Sequence, residues 1–219
     1  MSLIKRKPRP IATRDKDPSQ LRDDRLFIVA CDDTYAPQQY FGFFRFPRVQ
    51  IHVVPTLDGT SSAEAVLARL SSFTYEEDDE RWMLLDTDHV TEETHLKNFV
   101  GALREAEKKG IRVALSKPCF EFWLLLHHEE PPILTPLQDA KAVEGALRQR
   151  LGEYNKCNLK KEHYPLPALV QAITRAQRLD VGGDIPKANT SRVYLLWKAI
   201  VEKSLPAQVP REMRDIFLR

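Results

Sequence analysis

The chain has 219 residues, 42% hydrophobic and 29% charged, with a formal net charge of +2. That balance describes a globular domain with ample length for a core, and it argues against a low-complexity polymer or a general polyanion binder, so any nucleic-acid surface has to come from local clustering of charge. Three widely spaced cysteines, Cys31, Cys119 and Cys157, form no C-x-x-C pair and argue against a disulfide framework or a structural zinc.

No apolar run approaches the ~20 residues of a membrane span. The opening Met1–Pro10 is charged without a hydrophobic stretch after it, so no secretory signal is expected and the cytoplasm is the expected compartment. Residues 1–25 read as a basic arm, with Lys5, Arg6, Lys7, Arg9, Arg14 and Lys16 and with Pro8 and Pro10 against a regular helix. Such an arm is either a solvated tail or a segment that tracks phosphates.

Leu26–Cys31 is a continuous apolar run, suited to a strand covered on both faces, and it ends in Asp32-Asp33. Tyr35–Phe46 predicts a short helix and a loop. Val49–Val54 predicts a second strand, and Ser61 or Ser62 caps a helix whose Ala63, Val66, Leu67 and Leu70 share one face. After the acidic loop Glu76–Glu80 comes the apolar strand 82–86. It closes on Asp86-Thr87-Asp88.

Side chains in a strand alternate, so Asp86 and Asp88 aim at one point beyond the strand's carboxyl end. Paired carboxylates there repel each other unless a cation lies between them, and hard oxygen ligands suit Mg2+ or Mn2+. The plainer reading is a strand-to-helix turn, with Thr91 as N-cap and Glu92 and Glu93 favoured by the helix dipole.

Glu92–Lys109 predicts an amphipathic helix through Leu96, Phe99, Val100 and Leu103, stopped at Gly110. Ile111–Leu115 is a fourth strand, running into Ser116-Lys117-Pro118. Cys119–His128 reads as a buried helix in which Glu121 is the odd carboxylate, either a first-turn acid or a site residue. Strand and helix alternate throughout, which predicts a mostly parallel α/β sheet of about four strands over residues 26–130. Residues 131–219 predict a helical extension without a convincing strand: helices at 137–151, 165–179 and 193–203, the last capped by Ser191, with a basic connector at Asn155–His163 (Lys156, Lys160, Lys161). This portion is either a subdomain or helices packed on the sheet.

Four pieces carry a resemblance to the RloB-like family: the strand ending in Asp32, the Asp86-Thr87-Asp88 turn, the block Ser116-Lys-Pro-Cys-Phe-Glu-Phe-Trp-Leu-Leu-Leu-His127, and Asn189-Thr-Ser before an apolar helix. Tyr154-x-Lys156, Ala172-Ile173 and Arg175-Ala176 match more loosely. The resemblance spans roughly residues 26 to 203. It implies a Toprim-like core, Mg2+ or Mn2+ held by Asp86 and Asp88, and phosphodiester cleavage in a phage-defence setting, often beside an AAA-type ATPase. The chain departs from the family pattern with Lys117 where Asn is usual. It departs again in Cys31-Asp-Asp-Thr-Tyr-Ala-Pro-Gln-Gln-Tyr-Phe41, where Asp32 replaces a Glu and the Gly, Lys and Thr are gone.

Three functions compete. The first is a metal-dependent nuclease acting on DNA or RNA. In it Asp86 and Asp88 hold the ion, Asp32 is base or further ligand, and Glu121 and Lys117 flank the site; His89 and His127 are candidate acids, or structural. The second is a catalytically degenerate module that binds nucleic acid or the ATPase, motivated by the altered Cys31–Pro37 loop and the basic arm. The third is a receiver-like phosphorylation switch. The chain lacks one strand and helix for that layout.

Overall fold

The structure is a computed structural model that describes residues 25–56, 59–88, 93–130 and 137–217. The basic arm up to residue 24, His89 and Thr91 lie outside these residues. Five strands form one sheet in the order β2-β1-β3-β4-β5: β1 (Arg25–Cys31), β2 (Val49–Val54), β3 (Glu80–Asp86), β4 (Arg112–Lys117) and β5 (Thr190–Ser191). The first four pair in parallel and β5 is antiparallel to β4. The α/β sheet expected from the alternation is therefore present, with one addition. The C-terminal half contributes β5, too short to show a period in sequence.

Alternation along each strand sorts the core into two layers. Phe27, Val29 and Cys31 of β1 and Trp82 and Leu84 of β3 face one cluster; Leu26, Ile28, Ala30, Met83 and Leu85 face the other. Both faces are covered, which is why these strands read as unbroken apolar runs. The second cluster packs against α2 (Ala63–Ser72) and α3 (Glu93–Lys108). Ser62 caps α2, its Oγ accepting from the Ala65 N–H at 3.2 Å. On α3 the buried face is Phe99, Ala102 and Ala106, whereas Leu96 is 40% exposed and lies off the expected face.

The first cluster joins α1 (Tyr35–Gly42) and α4 (Phe120–Leu125) to α5 (Ala140–Leu151), α6 (Leu166–Leu179) and α7 (Val193–Lys203), so helices of the second half cover this sheet face. A further helix, α8 (Arg211–Phe217), buries Met213 in the same cluster and has no counterpart in the sequence reading. Ser191 does not cap α7 as expected. It lies in β5 and its Oγ bonds Ser116 Oγ at 2.9 Å, while Arg192 occupies the cap position. Asn189 holds the start of the second half beside the sheet edge: its Oδ1 accepts from the Leu137 N–H at 2.9 Å, and its Nδ2 donates to the Leu137 carbonyl at 2.6 Å and, more weakly, to the Lys117 carbonyl of β4 at 3.4 Å.

Within this core His127 is a buried polar residue. Its Nδ1 lies 3.0 Å from the Trp123 carbonyl, an obligate acceptor, so Nδ1 carries the proton and Nε2 accepts from the Tyr40 hydroxyl at 3.0 Å. This neutral ring serves packing, and burial lowers its pKa to about 3, away from proton transfer near neutrality. His128 is lowered to about 4, again chiefly by burial.

Both groups bind protons more readily once unfolded. Their contribution to stability is therefore intact above about pH 6.5 and is lost as pH falls toward the folded values. From His127 alone the loss should approach about 1.4 kcal/mol per pH unit between pH 6 and pH 4. Denaturant unfolding at stepped pH should show a shallower dependence, by about one proton, in His127→Gln, which keeps a donor and an acceptor; an unchanged slope would contradict the assignment.

Candidate active site at the carboxyl edge of the sheet

The chain order places β2 on one side of β1 and β3 on the other, with α1 on one sheet face and α2 on the opposite face. The loops leaving β1 and β3 therefore diverge, opening a crevice between the two carboxyl ends, the usual ligand position in open α/β sheets. A cleft of about 220 Å3 lies there, lined by Asp32, Asp33, Ser61, Asp86, Asp88, Cys119, Ala140, Glu121, Glu144 and Lys156.

Asp32 directly follows β1. Its Oδ2 accepts the Asp86 N–H at 2.8 Å and its Oδ1 accepts the Asp33 N–H at 3.0 Å, so this carboxylate fastens the end of β1 to the end of β3. Asp33 opens α1, its Oδ1 accepting from the Tyr35 N–H at 2.9 Å, and its Oδ2 receives Lys156 Nζ at 2.7 Å.

The turn after β3 is held by Thr87. Its buried hydroxyl donates to the Ser116 carbonyl at 3.1 Å, and its N–H reaches the Ser116 and Pro118 carbonyls at 3.0 and 2.9 Å. The Asp88 N–H also meets the Pro118 carbonyl, at 3.1 Å, across a cis Lys117–Pro118 peptide. With Thr87 turned toward β4, its neighbours Asp86 and Asp88 both line the cleft, as the two-residue period requires.

Glu121, 6% exposed, projects from the first turn of α4 into the same cleft. Tyr154 donates its hydroxyl to Glu121 Oε1 at 3.0 Å, and the Cys119 thiol bonds the same carboxyl. Lys117 is not among the lining residues. It ends β4 facing Thr190 of β5, and its carbonyl accepts from Asn189 Nδ2 at 3.4 Å. Lys156 is instead the lysine at the cleft among the described residues. In sequence Lys156 is one of three lysines in a basic connector, and the Tyr154-x-Lys156 spacing by itself assigns neither residue to the site. Glu144 of α5 was not singled out at all; its position on an amphipathic helix gives no signal that its face meets the cleft.

Six carboxylates against one lysine make the cleft strongly acidic. Burial, then the charges of Asp32, Glu121 and Asp88, push the Asp86 carboxyl well above its ordinary range, opposed by a hydrogen bond from the Phe120 N–H. Burial likewise raises Glu121, against its bonds from its own N–H, Tyr154 and Cys119.

The donor set is one that a hard divalent cation favours, since oxygen ligands crowded at one place lose their mutual repulsion to it. Among the described residues, however, no three His, Cys, Asp or Glu side chains stand together closely enough to hold a metal ion by themselves. Mg2+ sites commonly use one or two carboxylates with waters and substrate phosphates. Asp86 and Asp88 fit that role, with Asp32 beside them.

A family model for RloB-like protein matches residues 27–200. The chain belongs to the RloB-like family. The match runs from within β1 to most of α7 and thus includes every residue of the cleft. Comparison with curated proteins and with solved structures gives no match. No helix among the described residues of this RloB-like chain is long and apolar enough to cross a membrane.

The crowding at Asp86 has a stability consequence. A carboxyl raised in the fold stabilises it at low pH and costs stability as pH rises above the unfolded value, near 4, toward the folded one. Asp86→Asn removes that cost and keeps an acceptor for the Phe120 N–H. In EDTA at neutral pH the variant should be more stable than wild type, with a higher melting temperature, and the gain should shrink toward pH 4. A variant less stable than wild type at neutral pH would contradict the crowding.

Proposed function

We propose that this RloB-like chain is a Mg2+- or Mn2+-dependent nuclease that cleaves phosphodiesters. The observation that carries the proposal is the convergence of Asp32, Asp86, Asp88 and Glu121 from β1, β3 and α4 on one cleft at the sheet's switch point. The Toprim relation implied by the family resemblance supports the same reading, as does the phage-defence setting, in which an AAA-type ATPase is a proposed partner. The cytoplasm is the proposed compartment.

A divalent ion bound there would polarise a phosphoryl oxygen and lower the pKa of its water. Asp86 and Asp88 would hold the ion. Asp32, through the Asp86 N–H, fixes where the Asp86 backbone sits. Glu121, buried in the cleft wall with its carboxyl raised by that burial, would act as the acid toward a leaving oxygen.

One observation favours a second reading. Both oxygens of Asp32 already accept backbone N–H groups, so this residue is a clamp more than a free base, as a degenerate module that binds nucleic acid or an ATPase without turnover would have it.

Labelled single-stranded DNA, duplex DNA and tRNA incubated with Mn2+ or Mg2+ separate the two. The nuclease reading expects cleavage in at least one arm, absent in EDTA and reduced at least ~100-fold in Asp86→Asn or Asp88→Asn, in line with losing preorganised charge at a phosphoryl centre. No cleavage in any arm, with retained binding, would contradict it in favour of the binding module.

A further inference from the structure

The cleft is acidic and its proposed substrate is a polyanion, so an unaided approach of phosphate would be repelled. Lys156 is the one cation among the described residues that line the cleft, with its Nζ 2.7 Å from Asp33 Oδ2. It is delivered not by the sheet but by the segment between α5 and α6, which is fastened at several points. Gln39 of α1 donates its Nε2 to the Lys156 carbonyl at 2.8 Å, and its Oε1 accepts the Leu159 N–H at 2.9 Å. Asn155 Oδ1 accepts the Cys157 N–H at 2.9 Å. Tyr154 donates to Glu121, so the residues at i and i+2 both meet the carboxylates of the cleft. The backbone carrying Lys156 is thus held in place while its side chain keeps its reach.

The partner of that side chain is exchangeable. The Lys156 and Asp33 side chains are 45% and 27% exposed, and an ion pair open to water at both ends is worth little. A phosphate oxygen offers the ammonium a comparable charge-assisted hydrogen bond.

We infer that Lys156 is the phosphate-capturing residue of the cleft, held ready by Asp33 and transferred to a substrate phosphate when nucleic acid enters. This rests on the nuclease reading of the cleft and adds to it a substrate contact supplied by the C-terminal half. Asp33 then acts as a competitor for Lys156. Its removal and the removal of Lys156 must have opposite effects on binding, which a merely structural ion pair would not produce.

The test is anisotropy binding of fluorescein-labelled single-stranded DNA, duplex DNA and tRNA, with Ca2+ in place of Mn2+, over a range of salt. Lys156→Gln should bind about fivefold more weakly, with the slope of log affinity against log salt smaller by about 0.9, as for one lost phosphate contact. Lys156→Arg should restore most of the affinity, and Asp33→Asn should bind more tightly than wild type. Wild-type affinity and salt slope in Lys156→Gln, or equal weakening in Asp33→Asn and Lys156→Gln, would overturn the inference while leaving any cleavage by the wild type unexplained by Lys156. Absence of binding by the wild type to all three probes would overturn the nuclease reading itself, and this inference with it.

Discussion

The hydrogen bond from the Asp86 N–H to Asp32 Oδ2 is the constraint on which the site depends. Adjacent strands lie roughly 4.8 Å apart, and an aspartate at the end of β1 is short enough to reach the backbone of β3 without passing it. In doing so it spends its charge on a backbone donor and sets the position at which Asp86, then Asp88, leave the sheet. A glutamate would carry its carboxylate one methylene further into the cleft. An Asp at this position, rather than the longer Glu, therefore gives up reach into the cleft and gains a firm seam between two strand ends.

Around that seam the fold supplies fixed walls from elements distant in sequence. Thr87, tied to Ser116, keeps β3 and β4 aligned at their ends. The helix α4 begins directly beyond β4 and brings Glu121 and Cys119. The second half closes the remaining side: α5 contributes Glu144 and the following segment contributes Tyr154 and Lys156. Because α5, α6 and α7 share one buried cluster with β1 and β3, these walls are anchored to the same core that positions the aspartates. The cost is electrostatic. Carboxylates are crowded where burial already disfavours charge, and raised Asp86 and Glu121 carboxyls are the result.

Much of this was legible in the chain. The runs Leu26–Cys31 and Trp82–Leu85 announce doubly covered strands, and the period of two places Asp86 and Asp88 on one side. Gly110, with φ of 65°, ends α3 in the left-handed conformation that favours glycine. What stayed hidden depends on long-range placement. β5 is two residues long and exists only because β4 offers an edge. Ser191 looks like a helix cap until Ser116 claims it. Lys117 and Lys156 are alike in sequence as lysines close to acidic residues; only the pairing of Lys117 within β4 and β5, outside the cleft lining, and Gln39, which holds the Lys156 backbone, decide which one meets the cleft. Glu144 had no sequence signal, since a charged residue on an amphipathic helix is ordinarily solvated.

We propose that the strand ends joined by Asp32 and Asp86 form a divalent-cation site. Titration of Mn2+ into the purified protein, followed by the loss of the free-ion paramagnetic resonance signal, tests it without reference to any substrate. The wild type should bind saturably, and binding should be strongly weakened in Asp86→Asn combined with Asp88→Asn. Binding of equal strength in that double variant, or none in the wild type, would contradict it.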